Sequence, residues 1–172
     1  MVNRAYECFV ADRRANHRNP KGFLIVLLFR VAHGARGSRL RPRPISLPIG
    51  ILYRVTVEWM LGVELPWKTR VGKGLRIDHG VGLVVNDNAV IGDWVTLRQA
   101  TTIGSRYPGG GAPRIDDHVD IGANAVVIGD IYVGFDSRVA AGAVVIENVP
   151  SQSTVVGNPG RIVGAARGGS GA

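Results

Sequence analysis

A six-residue beat running from about Val71 to Val145 constrains this chain more than anything else in it. Branched aliphatics stand at Val71, Ile77, Val85, Ile91, Leu97, Ile103, Ile115, Ile121, Val127, Val133, Val139 and Val145. The spacing is six throughout, except for a step of eight after Ile77 and a step of twelve after Ile103. Two residues before most of these comes something small or β-branched: Thr69, Ala89, Val95, Thr101, Val119, Ala125, Ser137 and Ala143. Glycine follows directly at Gly72, Gly92, Gly104, Gly122 and Gly134. A period of six matches neither the 3.6 of a helix nor an amphipathic strand alone. It suits a parallel β-solenoid of short strands joined by tight turns. Three hexads close one triangular coil of about eighteen residues, so each aliphatic points into a narrow prism and stacks on its counterpart one coil earlier. The small partner fits because a prism corner leaves little room. The two irregular steps must leave the wall, and such interruptions are where a solenoid carries its sites.

The rest of the chain divides around this beat. Residues 1–64 read as a basic helical segment, residues 65–163 as the solenoid with its cap, and residues 164–172 as a Gly/Ala-rich flexible tail. Helices are expected over Arg4 to Asn16, over Phe23 to about His33, and over about Ile49 to Leu61, the last with Leu52, Val55 and Trp59 along its apolar side. Gly34, Gly37 and the Arg-Pro-Arg-Pro at 41–44 read as a break between the second and third. Residues 105–113, SRYPGGGAP, cannot form regular wall and read as a projecting loop. The stretch from Ser151 to Val163 is expected to cap the last coil, because an open β-solenoid end exposes unpaired backbone groups.

Charge is unevenly spread. Residues 1–76 carry 15 Lys/Arg against 4 Asp/Glu, a net of +11, and residues 77–172 carry 6 against 9, a net of −3. A basic segment can face an anionic membrane or a phosphorylated ligand. Nucleic acid is not expected, since aromatics are few and no recognised nucleic-acid motif is present. A single cysteine, Cys8, leaves no internal disulfide and fits a reducing cytosol. The start of the chain is too charged for a secretory signal. The apolar run Phe23 to Phe29 is far shorter than the roughly 20 residues of a membrane span. A cytoplasmic protein is therefore expected, with peripheral contact at the inner membrane face through the basic segment.

His79 lies inside the first irregular step, in IDHGVGLVV. It can be a solvated corner residue or a catalytic one. Asp78 is its chain neighbour and points to the opposite face of the strand, so it cannot orient the ring. Glu64 lies fifteen residues earlier, nearly one coil, and can stand beside His79 or serve as a surface carboxylate. His118 follows the loop in DDHVD and reads as a surface turn residue.

At this point the strings GKGLRIDHGVGLVV, NAVIGDWVTLRQATTIG, IGANAVVIGDIYVG, AAGAVVIENVP and TVVGNPGRIVG resemble the serine acetyltransferase family. That family belongs to the hexapeptide-repeat acyltransferases. LLFRVAHG and LYRVTVEWMLGVELP look like its colanic-acid-type exopolysaccharide branch, whose helical N-terminus is shortened. The resemblance implies a mainly β fold, a left-handed parallel β-helix with a short α-helical N-terminal segment. It implies acetyl transfer from acetyl-CoA to a hydroxyl, with His79 as general base and Glu64 as the carboxylate holding it. Backbone N–H groups of the glycine-rich turns are candidates to meet the oxyanion. It implies CoA contacts at Ala123, Ala141 and Gly142, with Arg138 and Arg161 as possible cationic contacts. It matches Asp78, and loosely Asp12, to acidic substrate contacts; Arg98 and Arg106 border the cleft as further substrate candidates. It implies a homotrimer with its sites between subunits.

The match also fails instructively. Serine acetyltransferases carry Arg-His before the proline closing the projecting loop, where this chain has Gly111 and Ala112 before Pro113. A free amino acid thereby loses a carboxylate anchor of about 1.5–3 kcal/mol. The acceptor expectation therefore leans to a sugar hydroxyl of an exopolysaccharide or its precursor, with L-serine as the alternative and a non-enzymatic trimeric scaffold as the third reading. No metal is expected: His17, His33, His79 and His118 lack the spacing of the histidine trio in carbonic-anhydrase-like solenoids.

Overall fold

The structure, a computed structural model, describes residues 2–37 and 43–165. Helices α1 (Val2–Ala15), α2 (Pro20–Gly37) and α3 (Arg43–Tyr53) precede a π-helical turn, Arg54–Met60. Fifteen short strands follow. In the first two coils they are β1 (Val63–Glu64), β2 (Arg70–Val71), β3 (Arg76–Asp78), β4 (Leu83–Val85), β5 (Val90–Ile91) and β6 (Thr96–Arg98). The third and fourth coils comprise β7 (Thr102–Gly104), β8 (Arg114–Ile115), β9 (Asp120–Ile121), β10 (Val126–Ile128), β11 (Tyr132–Val133) and β12 (Arg138–Val139). The last coil holds β13 (Val144–Val145) and β14 (Ser153–Val156), and β15 (Arg161–Ala165) turns back on it. The strands stack as three parallel sheets. Sheet A runs β1-β4-β7-β10-β13, sheet B β2-β5-β8-β11, and sheet C β3-β6-β9-β12-β14-β15, with only β15 antiparallel. This is a mainly β parallel solenoid of five coils under a helical cap.

The register is the one the hexads dictate. Ile77, Leu97, Ile121, Val139 and Val155 form one column. Val71, Ile91, Ile115, Val133 and Val149 form the second. Val85, Ile103, Val127 and Val145 form the third. All are buried except Val71, which is half-buried. Thr69, Ala89, Val95, Thr101, Val119, Ala125, Ser137 and Ala143 fill the corners, essentially sealed from solvent. Gly122 shows why glycine follows the aliphatic: a Cβ there would stand 2.4 Å from the Ala141 amide nitrogen of the next coil.

The first coil is closed from above by side chains of the helices. Asp12 on α1 accepts from the N–H groups of Gly74 (2.8 Å) and Leu75 (3.1 Å) and from Arg30 Nε (2.8 Å). Asn16 donates to Leu75 O and accepts from Ile77 N. Asn19 donates to Ile77 O and caps α2 by accepting from Gly22 N. Pro20 takes the first helical position, where its missing N–H costs nothing. Arg30 donates to the carbonyls of Val71 and Gly72, and Tyr53 to Leu65 O. Beneath these bonds Ile25, Val26, Phe29 and Ala32 of α2 plug the prism mouth.

Three expectations change. The wall begins at Val63, since β1 pairs with β4, two residues before the expected boundary. Gly34 does not break α2, which continues to Gly37. The expected break at 41–44 falls partly outside the described residues. The third helix presents Tyr53 and Val57 to the core, while Leu52 and Trp59 are 67% and 74% exposed. The buried stripe, Gly50, Tyr53 and Val57, keeps ordinary helical spacing on a neighbouring face, and π-helical pitch follows it, marked by Leu61 N–H reaching back to Thr56 O. Residues 105–113 lie between β7 and β8 outside any strand, and β15 turns back on β14 and extends to Ala165; the remainder of the tail lies outside the described residues. Among the described residues no helix is long and apolar enough to cross a membrane.

Asp12→Ala should cost about 3–5 kcal/mol, because it strands the Arg30 charge and two edge amides in a buried site. Urea unfolding measures this. A loss under 1 kcal/mol would mean the helical cap is not held by that carboxylate.

Candidate active site

The eight-residue step places His79 on a local excursion at the corner where the chain passes from sheet C to sheet A. His79, Gly80 and Gly82 all have left-handed backbone, with φ of 68°, 71° and 74°. Such a φ at a non-glycine residue is unfavourable unless the surroundings hold it. The holding contacts are on both sides. The Gly82 N–H donates to Gly62 O, the Val81 N–H to His79 O, and the Ala100 N–H to Val81 O. Gly80 is buried over Ile77, Val63 and Ile25, with room for little more than hydrogen at its Cα. The His79 ring itself is exposed and makes no hydrogen bond among the described residues.

This corner repeats down the solenoid as a ridge. Below the 79–82 excursion come Gln99–Ala100, Ala123–Asn124, Ala141–Gly142 and the turn at 157–160. Successive steps are joined by Ala100 N to Val81 O, Asn124 N to Gln99 O, Gly142 N to Ala123 O, and Val144 N to Gly157 O. Three of the expected CoA positions therefore lie on one line with His79. Ala141 and Gly142 are exposed and Ala123 is half-buried. Arg161 opens β15 directly after the last turn, exposed, at the far end of the line. Four coil steps of about 4.8 Å separate the ends by roughly 19 Å. The ridge amides just named are engaged between coils or, at Gly80 and Val81, with carbonyls of their own turn.

Beside the ridge, the outer face of sheet C carries a ladder of alternating charge. Arg76 Nε bonds Asp78 Oδ1 at 3.0 Å, and Asn19 reaches the same oxygen. Asp78 stands opposite Arg98 in register. Arg98 bonds Asp120, and Arg138 Nε lies 3.7 Å from the same carboxylate. The Asp120 hydrogen bond is the main reason the Arg98 guanidinium is held above its usual range. Asp78 and Arg98 are thus brought beside the His79 corner, although each already has a partner. Arg138, about half exposed, is the least committed cation of the ladder.

The other candidates separate from this corner. Asp12 is 2% exposed and fully engaged in the helical cap, so it is a structural clamp and not a substrate contact. Arg106 lies on the projecting loop, exposed, its guanidinium 5.6 Å from the Tyr107 ring centre. That loop leaves the opposite side of sheet A, a full face away from His79 in the same chain. Glu64 is exposed on the outer face of β1 and makes no hydrogen bond to His79. It lines a groove of about 850 Å³ between sheet A and the α3–π-helix segment, together with Glu58, Trp59, Trp67, Asn86 and Asp87. Burial pushes the Glu58 carboxyl up; Arg54 opposes this and Glu64 adds to it. The sequence reasoning missed Glu58 and Asn19. The second helix starts at Pro20, three residues before the expected Phe23, and the reach of Asn19 to Asp78 depends on tertiary packing. No group of residues able to hold a metal ion occurs among the described residues.

No protein-family profile matches the chain. Among curated proteins it is 38% identical over 144 residues to a serine acetyltransferase of Synechococcus elongatus, covering 83% of this chain and 57% of that protein. It is 36% identical over 155 residues to a protein of Escherichia coli K12 named for colanic acid biosynthesis, the acetyltransferase WcaB, covering 88% of this chain and 96% of that one. Among solved structures, soybean serine acetyltransferase superposes with a TM-score of 0.80 at 36% identity, covering 94% of this chain and 69% of that one. The same enzyme has been solved in complex with serine, again at a TM-score of 0.80. The chain spans just over half of the Synechococcus protein and 39% of serine acetyltransferase 4 of Arabidopsis thaliana.

Asp120→Ala should release Arg98 and Arg138 together while costing no more than about 1 kcal/mol, since the ladder is partly solvated. Chemical denaturation of the variant measures this. A loss above 3 kcal/mol would make the ladder a structural element rather than an accessible charged face.

Proposed function

The chain belongs to the serine acetyltransferase family, and from that premise we propose that it moves an acetyl group from acetyl-CoA to a hydroxyl oxygen. The observation that carries the reading is the ridge, with an exposed imidazole at one end, small residues along it and a cation at the other. An extended pantetheine arm suits such a line: Ala123, Ala141 and Gly142 let it approach, Arg138 and Arg161 meet its phosphates, and the thioester comes to rest at His79.

The chemistry needs few groups. Imidazole is largely neutral at neutral pH, so His79 takes the proton of the acceptor hydroxyl as its oxygen attacks the thioester carbonyl. The tetrahedral intermediate collapses by breaking the carbon–sulfur bond. The imidazolium returns the proton to the departing thiolate. No acyl-enzyme is formed, and Cys8 takes no part. Glu64 is unpartnered among the described residues and free to turn toward the ring, where it would fix the tautomer and stabilise the imidazolium. Asp78 and Arg98 border the acceptor.

We assign the acceptor to a sugar hydroxyl of an exopolysaccharide or its precursor. The near end-to-end match to the colanic acid relative supports this, and so does Gly111-Ala112 in place of a cationic pair. L-serine is the second reading, supported by the likeness to the serine-bound soybean enzyme. A purely structural trimer would need neither the 79–82 excursion nor the open ridge. The separation of Arg106 from His79 within one chain favours a homotrimer, in which the loop of one subunit meets the corner of the next. Exposed Arg4, Arg13, Arg14, Arg18 and Lys21, with exposed Tyr6 and Phe9, would rest on an anionic inner membrane face from the cytoplasmic side.

His79→Ala should lower turnover at least 10²-fold by thiol release from acetyl-CoA, with the assembly intact by light scattering. Retained turnover would end the mechanism. Ala141→Trp should weaken acetyl-CoA binding at least tenfold by calorimetry without lowering Tm, because the residue is exposed on the ridge; unchanged affinity would place the donor elsewhere.

A further inference from the structure

The groove between sheet A and the π-helical turn has three features that core packing does not require. Trp59 sits on its wall with 74% of its surface exposed, although tryptophan is usually well covered. The wall is a seven-residue π-helix, a conformation that is rare and concentrates at functional sites. Two carboxylates, Glu58 and Glu64, share the space, and Glu58 is largely withdrawn from solvent, with its side chain 18% exposed. Each of these is unfavourable alone. All three face the same volume of about 850 Å³, well inside the range of small-molecule sites.

The lining selects a chemistry. Glu58, Glu64 and Asp87 outnumber Arg54 and Lys68, and Arg54 is already engaged with Glu58 at 3.2 Å. A phosphate or free carboxylate would therefore meet net negative charge. A neutral polyol would meet acceptors for its hydroxyls, in the carboxylates and in Asn86. Two indoles flank these acceptors. Trp67 is locked in place because its ring occupies the space that a side chain on Gly50 would fill. Trp59 presents an open face. Aromatic faces paired with carboxylates and an amide suit a sugar ring, which is apolar on its C–H faces and polar at its rim. The groove also adjoins the reacting corner. It opens at Glu64 and Val84, on the two strands that follow Gly62 and the 79–82 excursion, and runs to Ser105 at the base of the projecting loop.

We infer that this groove holds the non-reacting sugar units of the acceptor, with Trp59 as stacking platform and Glu58 and Asn86 as hydroxyl partners, while Glu64 stands at the end nearest His79. The inference rests on the sugar-acceptor reading above and places its binding determinant. A site of this size holds several hexose units, whereas a single amino acid would leave most of it filled with water.

The test uses the full-length protein, methyl glycosides of glucose, galactose, fucose and N-acetylglucosamine, and linear trisaccharides built from them. Saturation-transfer NMR should detect trisaccharide binding, and His79→Ala should bind equally well. Trp59→Ala should raise the KM for the acetylated trisaccharide at least tenfold, leaving kcat within threefold and the KM for acetyl-CoA unchanged. Trp59→Phe should recover most of the loss, and Glu58→Gln should raise KM without changing Tm by more than about 2 °C. If a glycan is acetylated and these variants keep the wild-type KM, the groove assignment fails while the sugar reading stands. If only L-serine is acetylated and no glycan binds, the sugar reading fails and this inference with it. Loss of the assembly in Trp59→Ala by light scattering would make the groove a subunit contact and overturn the proposal.

Discussion

An open end is the weak point of any parallel solenoid, because its last strands present N–H and C=O groups with no partner above them. Here the first coil is completed by side chains rather than by another strand. Asp12, Asn16, Asn19, Arg30 and Tyr53 supply hydrogen-bonding groups to the backbone of residues 65–77. The rest of the molecule hangs on this substitution. It fixes where α1 and α2 sit, and α2 in turn buries Ile25 against Gly80, under the turn that carries His79. The helical appendage thus packs under the turn that carries His79, whose left-handed backbone, at φ 68°, is shared by non-glycine residues at other turns, among them Ala100 and Asn124.

That arrangement explains which parts of the molecule were legible in the sequence. The hexads were, because a repeating wall imposes the same steric demand at every coil and writes it into composition. The columns, the small corner residues and the two interruptions all follow from that local rule. His79 was legible because it breaks the rule. Asp12 was misjudged because nothing local distinguishes a carboxylate that binds a ligand from one that replaces a strand; only the position of α1 over β3 decides. The third helix was misjudged for a different reason. A stripe of Leu52, Val55 and Trp59 and one of Gly50, Tyr53 and Val57 fit helical spacing equally, and only packing against the wall decides which is buried.

The exposed face of the third helix and its π-helical end bears on how the proposed site is divided. The ridge proposed for the donor and the groove proposed for the acceptor lie on the two surfaces that meet near Glu64. The ridge runs down the corner between sheets C and A, while the groove crosses the outside of sheet A. On the proposed reading, one chain would present the thioester along the solenoid axis and the acceptor across it, with His79 at the upper end of the ridge. Such a layout lets each substrate be recognised by its own remote parts, and binding energy from those parts can be used to orient the two reacting atoms.

The layout also separates what the wall imposes from what it leaves open. The ridge depends on hexad residues whose size is dictated by the fold, so any member with the same wall has it available. The groove depends on residues the fold does not require: an exposed indole, a sequestered carboxylate and a rare helical pitch. Acceptor choice is most economically altered at such positions, because changing them leaves the columns, the corner and the cap in place. Gly111 is exposed on the projecting loop, whereas Ala112 beside it packs into the buried core and is tied to the fold. Specificity in this architecture therefore resides where the hexad beat is broken, and stability resides where it is kept.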